Sequence, residues 1–150
     1  MDAARFPVVS GEALDGTPFV TPRDLAAGRT VALIAFALDH RPEVETWVPY
    51  LDTLVRSPAG VRARLFAVIG MPKIMRGAVV KAMRAAVGTP ELRASTIPVF
   101  VDPGGFASSA GISDRSHLTV LLVEPDGRIT WRGSGPYSAA AGASLTAALG

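Results

Sequence analysis

Apolar positions along the chain follow two rhythms. Thr30-Val31-Ala32-Leu33-Ile34-Ala35-Phe36-Ala37 is apolar without alternation, as in a strand buried on both faces. Past Pro42, residues Val44, Trp47, Val48, Leu51, Leu54 and Val55 recur at helical spacing and form one stripe. Pro42 suits a first helical turn, Glu43 and Glu45 put negative charge at the helix N-terminus, and Pro49 predicts a kink. Val61 to Ile69 predicts a second strand. Pro72 opens a helix that runs to about Val87 and stops at Gly88. Ile97 to Val101 predicts a third strand, closed by Asp102-Pro103-Gly104-Gly105, where Asp102 is expected to cap a short helix over Phe106 to Ala110. His117 to Val123 and Arg128 to Arg132 flank Glu124-Pro125-Asp126-Gly127 and predict an antiparallel hairpin. Ser138 caps a last helix to Leu149.

Ahead of these elements, Phe6 to Phe19 predicts a short hairpin turning at Asp15-Gly16. Thr21-Pro22-Arg23-Asp24-Leu25 then predicts one helical turn ended by Gly28. The sum is an α/β chain, expected as one domain over residues 1–150: a mixed central sheet with helices on both faces and an N-terminal β-hairpin.

Composition narrows the chemistry. Of 150 residues 49% are apolar and 19% charged, which excludes disorder, and no apolar run approaches the ~20 residues of a membrane-spanning helix. The start Met1-Asp2-Ala3-Ala4-Arg5 lacks the cationic and apolar regions of a secretory signal, so the expected location is cytoplasmic. The chain has no cysteine, which removes disulfides, thiolate metal sites and every thiol mechanism. Net charge is only +2, but it is unevenly placed: between Arg56 and Arg93 eight basic residues face a single acid, Glu91.

The order of elements resembles the thioredoxin-like superfamily, in particular its peroxiredoxin and membrane-tethered thiol-reductase branches. The likeness is carried by Leu14-Asp15-Gly16-Thr17-Pro18-Phe19 with Asp24-Leu25 and Gly28, the strand Val31 to Phe36, and the Pro-containing helix after it. Pro98-Val99-Phe100-Val101-Asp102 and the stretch Val120 to Ile129 complete it. The superfamily implies a reactive cysteine between the first core strand and that helix, where this chain reads Leu38-Asp39-His40-Arg41-Pro42. It also implies a cis-proline before the terminal hairpin, where this chain reads Arg115-Ser116-His117-Leu118-Thr119. Both hallmarks are missing, so thiol–disulfide exchange and thiol peroxidase chemistry are excluded. A more distant likeness, in Trp47-Val48-Pro49 and Pro72-Lys73-Ile74-Met75-Arg76, is to a mitochondrial ATP-synthase assembly-factor family with a thioredoxin-like domain.

If the resemblance holds, the two histidines, His40 and His117, border one cleft with Asp39, Arg41, Asp114 and Arg115. Such a set can bind an anion or move a proton. Its spacing matches no recognised metal site, and no metal or cofactor is implied. The helix from Pro72 places Ile74, Met75, Ala78, Val79, Ala82, Met83 and Ala86 on one arc and Lys73, Arg76, Lys81 and Arg84 on the other, a basic amphipathic helix. The cationic arc suits an acidic protein partner. Contact with an anionic membrane surface stays open, but the stacking aromatics of a nucleic-acid site are absent.

Two functions follow. One is a redox-inactive module for protein binding or assembly, indifferent to loss of the histidines; replacing both by alanine is then expected to leave stability near wild type. The other is a small-molecule enzyme of a biosynthetic pathway, an isomerase, cyclase or hydrolytic enzyme, with His40 or His117 as acid or base and Arg41 or Arg115 orienting an anionic group. The enzyme needs an enclosed pocket beside the histidines; the module needs an exposed apolar patch.

Overall fold

A computed structural model describes residues 4–150, and among these every side chain but that of Lys73. The non-alternating run folds as β3 (Thr30–Ala35), after the short pair β1 (Ser10–Glu12) and β2 (Pro18–Val20). It lies at the centre of a five-stranded sheet with β4 (Arg62–Val68), β5 (Thr96–Val99), β6 (Thr119–Val123) and β7 (Ile129–Ser134), in the order β5-β4-β3-β6-β7. β3, β4 and β5 run parallel; β6 is antiparallel to β3 and to β7, so the sheet is mixed.

Alternation within β3 explains its uniformly apolar sequence. Ala32 and Ile34 enter one core with Phe6, Phe66, Val99, Phe106 and Leu121, whereas Val31 and Leu33 enter a second with Trp47, Leu51, Leu118, Val120 and Leu145. The second core is covered by α1 (Arg41–Arg56) and α5 (Ala139–Leu149), the first by the N-terminal segment and α4 (Pro103–Ala110). Side-chain caps start two of these helices: the carboxylate of Asp102 accepts from the Gly105 N–H at 2.8 Å, and the Ser138 hydroxyl from the Ala141 N–H at 3.0 Å. α1 runs unbroken through Pro49, which lies on its exposed side.

Three details depart from the expected pattern. Val48 and Val55, assigned to the buried stripe of α1, are exposed; Trp47, Leu51 and Leu54 are buried, with Val44 and Tyr50 packed beside them. A helix the sequence pattern missed, α3 (Pro90–Ser95), starts at Thr89, whose hydroxyl accepts from the Leu92 N–H. The Pro72 helix divides into a 3-10 turn, Lys73–Met75, and α2 (Arg76–Ala86), and α2 buries none of its residues.

The N-terminal hairpin shields the β5 edge. The Leu14 N–H lies 3.0 Å from the Arg93 carbonyl and 2.9 Å from that of Thr96, and Gly11 sits so close to β5 that a Cβ there would lie 3.0 Å from the Pro98 carbonyl. Pro98 itself brings no N–H to that edge strand.

Candidate functional site

Three loops meet at one edge of the sheet. Because β3 and β4 are parallel and paired Ala35 to Ala67, the chain leaves both at the same end, and Thr119 at the start of β6 pairs with Ile34 there. That edge therefore carries 36–40, 69–75 and 114–118, and the helix α1 begins on it.

Glu43, in the first turn of α1, ties two of these loops together. Its Oε2 accepts from the Leu118 N–H at 2.7 Å, and its Oε1 lies 2.8 Å from Nδ1 of His117. The bond to the backbone fixes the loop ahead of β6; the bond to the imidazole orients a side chain that is otherwise open to solvent. Burial pushes the Glu43 carboxyl up, but the Leu118 N–H and the His117 ring outweigh it and hold the group below the ordinary carboxylate value, with His40 adding to the effect. His117 is raised, first by the bond to Glu43, then by its charge and that of Asp114.

The pair has a signed pH dependence. The contribution of Glu43 is present above its ordinary value of 4.5 and is lost as pH falls through the depressed one. That of His117 is present below 6.5 and fades as pH rises through its raised value. The ion pair is therefore complete between those two ordinary values. A proton NMR titration of the His117 ring is expected to show a midpoint above 6.5 that falls back toward it in Glu43→Gln; equal midpoints in the two proteins would disprove the pairing.

His40 differs in kind. It is 3% exposed, and its Nδ1 accepts from the Phe36 N–H at 3.1 Å, which leaves the ring proton on Nε2. Through that bond His40 serves as a structural staple of the 36–40 loop. Asp39 and Arg115 are exposed; Arg41 is exposed too and pairs with Glu45 one turn along α1 at 3.3 Å. Asp114 accepts from both the N–H and the hydroxyl of Ser116, which holds its carboxyl below the usual range. The structure thus joins His117 to Glu43 beside Asp114, buries His40 against its own loop, and leaves Asp39, Arg41 and Arg115 facing solvent. Glu43 was legible as a helix-start acid but not as the link between the loops, because its partner lies 75 positions away. Among the described residues no three His, Asp or Glu side chains gather as a metal site.

The cationic helix is arranged differently from its sequence pattern. The apolar arc is split: Ile74, Met75, Ala78 and Ala82 are exposed, whereas Val79 and Met83 are half-buried. Arg76 and Arg84, assigned to solvent, instead line a recess of about 420 Å³ between the hairpin, α2 and β5. Nε of Arg84 donates to the Leu14 carbonyl at 2.8 Å, and the Arg76 guanidinium lies 5.1 Å above the Phe100 ring. The physical reason is that α2 lies beside the hairpin and not over the sheet, so backbone carbonyls and an aromatic face attract its arginines. Lys81 is exposed, and the Lys73 side chain lies outside the described residues. Trp131 packs against the second core and donates from Nε1 to the Ser144 hydroxyl at 2.9 Å, so it supports α5 and does not border the histidines.

Comparison with solved structures decides the fold. A thiol:disulfide interchange protein of the thioredoxin family from Chlorobium tepidum TLS aligns with a TM-score of 0.62 at 18% identity, covering 100% of this chain and 99% of that one. The fold is thioredoxin-like. Yeast Sco1 with copper bound aligns with a TM-score of 0.63 at 15% identity over 98% and 92% of the two chains. BsSco, of the Sco family of cytochrome c oxidase assembly proteins, aligns at 0.60 and 14% over 98% and 94%. No family model and no curated protein matches the chain. In this thioredoxin-like chain the loop between β3 and α1 carries Leu38, Asp39 and His40 and no sulfur nucleophile. The cis peptide found among the described residues is Thr21–Pro22, far from the loop before β6.

Proposed function

We propose that the chain is a redox-inactive thioredoxin-like module that binds a partner protein, in an assembly role, through the sheet edge where the superfamily carries its thiol. One observation supports this above the others: Leu38 is 90% and Ile74 91% exposed, on the loops that leave the adjacent strands β3 and β4, with Met71 and Met75 beside Ile74 in sequence and also exposed. Single exposed apolar side chains are ordinary, but four large ones on two neighbouring loops form the kind of surface that a partner covers. Methionine adapts to the shape of what it meets. Arg41 and Arg115 at the same edge favour an acidic rim on that partner. The absence of cysteine supports binding without exchange of electrons. BsSco belongs to a family of cytochrome c oxidase assembly proteins, and Pro72 to Arg76 resembles an assembly-factor family; an assembly role is the finer form of this reading.

The enzyme reading draws on the carboxylate-held imidazole of His117. Neither the recess between the hairpin, α2 and Pro98 nor the one lined by Gly111 to Asp114, Thr119 and Arg132 to Ser134 has a histidine in its wall, which favours the module.

A Leu38→Asp, Ile74→Asp double variant tests the reading. Both positions are nearly fully exposed, so stability is expected to change by no more than about 0.5 kcal/mol per site. In cross-linking from native cells, adducts of the wild-type chain are expected to disappear from the variant while those of His117→Ala persist. Identical adduct patterns for the wild type and the double variant would end the proposal, and a cellular activity abolished by His117→Ala in a folded chain would favour the enzyme.

A further inference from the structure

The recess behind α2 has no part in the reading above. It is bounded by β1 and β2 on one side, α2 on another and the end of β5, stands half open to solvent, and has a volume of about 420 Å³, within the range of small-ligand sites. Arg76, Val80 and Arg84 follow at intervals of four along α2, so all three face the same way, and all three line this space.

The two guanidiniums outnumber the single carboxylate of that wall, Glu12. Among the described residues neither guanidinium is within ion-pair distance of a carboxylate, whereas Arg23, Arg29, Arg41, Arg56 and Arg128 each are. Nε of Arg76 is the single buried side-chain donor among the described residues that lacks an acceptor, and the remaining bond of that side chain, to the Phe100 carbonyl, is long at 3.4 Å. That atom is closed to water, so a ligand in the recess meets the terminal nitrogens of the two guanidiniums. Both guanidiniums are held in place, Arg76 by the Phe100 ring and Arg84 by the Leu14 carbonyl, so their planes are set before any ligand arrives.

The geometry points to a binding site for a compact organic carboxylate that carries a hydroxyl or ammonium beside the carboxylate and an apolar body. The planar forks of Arg76 and Arg84 match a carboxylate. Val80, Pro18 and Pro98 offer the carbon skeleton an apolar wall. Glu12 on β1 also lines the recess; it accepts from the hydroxyl or ammonium and repels a dianion, which selects against phosphate.

Titration of the isotope-labelled chain with 3-phenyllactate, followed by amide NMR, tests this. Saturable shifts are expected at Gly11, Glu12 and Val80, with a dissociation constant below about 1 mM, and the Arg76 Nε–H signal is expected to move with them. Arg76→Gln is expected to weaken binding at least about tenfold. Should that variant not fold, Val80→Phe fills the recess without altering charge and is expected to abolish the shifts. Glu12→Gln is expected to raise the affinity for inorganic phosphate, which the wild type binds more weakly than phenyllactate. The proposal is overturned by shifts that do not saturate, by affinity unchanged in Arg76→Gln or Val80→Phe, or by wild-type preference for phosphate. The Leu38→Asp, Ile74→Asp chain is expected to bind phenyllactate as the wild type does, so the two proposals fail separately.

Discussion

Replacing Trp47 by alanine is expected to remove about 3–5 kcal/mol of stability, the range for truncating a buried tryptophan. Trp47 is 1% exposed, and its ring meets those of Tyr50 and Tyr137 edge to face, at 6.0 and 5.3 Å between centroids. Its Nε1 donates to the Gly135 carbonyl at 3.0 Å across the second core. Tyr50 in turn reaches the Gly142 carbonyl and the Thr146 hydroxyl, so α1, α5 and the end of β7 are joined through one aromatic cluster. Alanine leaves a cavity and a carbonyl without its donor together. Since domains of this size hold only about 5–15 kcal/mol in all, the variant should unfold at far lower urea. Trp47→Phe, which keeps most of the volume and loses the N–H, is expected to fall between the two. A midpoint for Trp47→Ala equal to that of wild type would show that the cluster does not hold the helices.

The second large effect is expected at His40. His40→Ala empties a buried site and strands the Phe36 N–H, at a cost of roughly 2–3 kcal/mol. His117→Ala, at a position open to solvent, should shift the unfolding midpoint little. This asymmetry corrects the sequence expectation that both histidines could be replaced without loss. The comparison is made by denaturation of the two single variants side by side; equal midpoints would contradict the assignment of His40 to the core.

Most of the fold was readable because the signals were local or periodic. The uniform apolar run at 30–37 had to be a central strand, and the turn Glu124 to Gly127 had to reverse the chain between two strands. Asp102 and Ser138 announced their helices by type and position. The site was less readable, for reasons of the same kind. Whether a polar residue in a loop turns inward is set by a partner that no spacing reveals: His40 faces a backbone N–H four residues before it, and Glu43 one that is 75 residues after it. The α2 arcs were drawn correctly by period, but period says nothing about which arc faces the protein. The hairpin carbonyl at Leu14 and the ring of Phe100 hold the arginines, while Ile74, Met75, Ala78 and Ala82 stay exposed and Val79 and Met83 are half-buried.

The hairpin that closes over β5 also limits how this molecule can join copies of itself. A sheet grows into a fibre only if both flanks can accept a new strand, and here the β5 flank is covered by the hairpin of β1 and β2. At the other flank Ala4 to Phe6 pair with Gly127 to Ile129 at the entry to β7 and shorten the free edge, so the fold obstructs polymerisation from both sides.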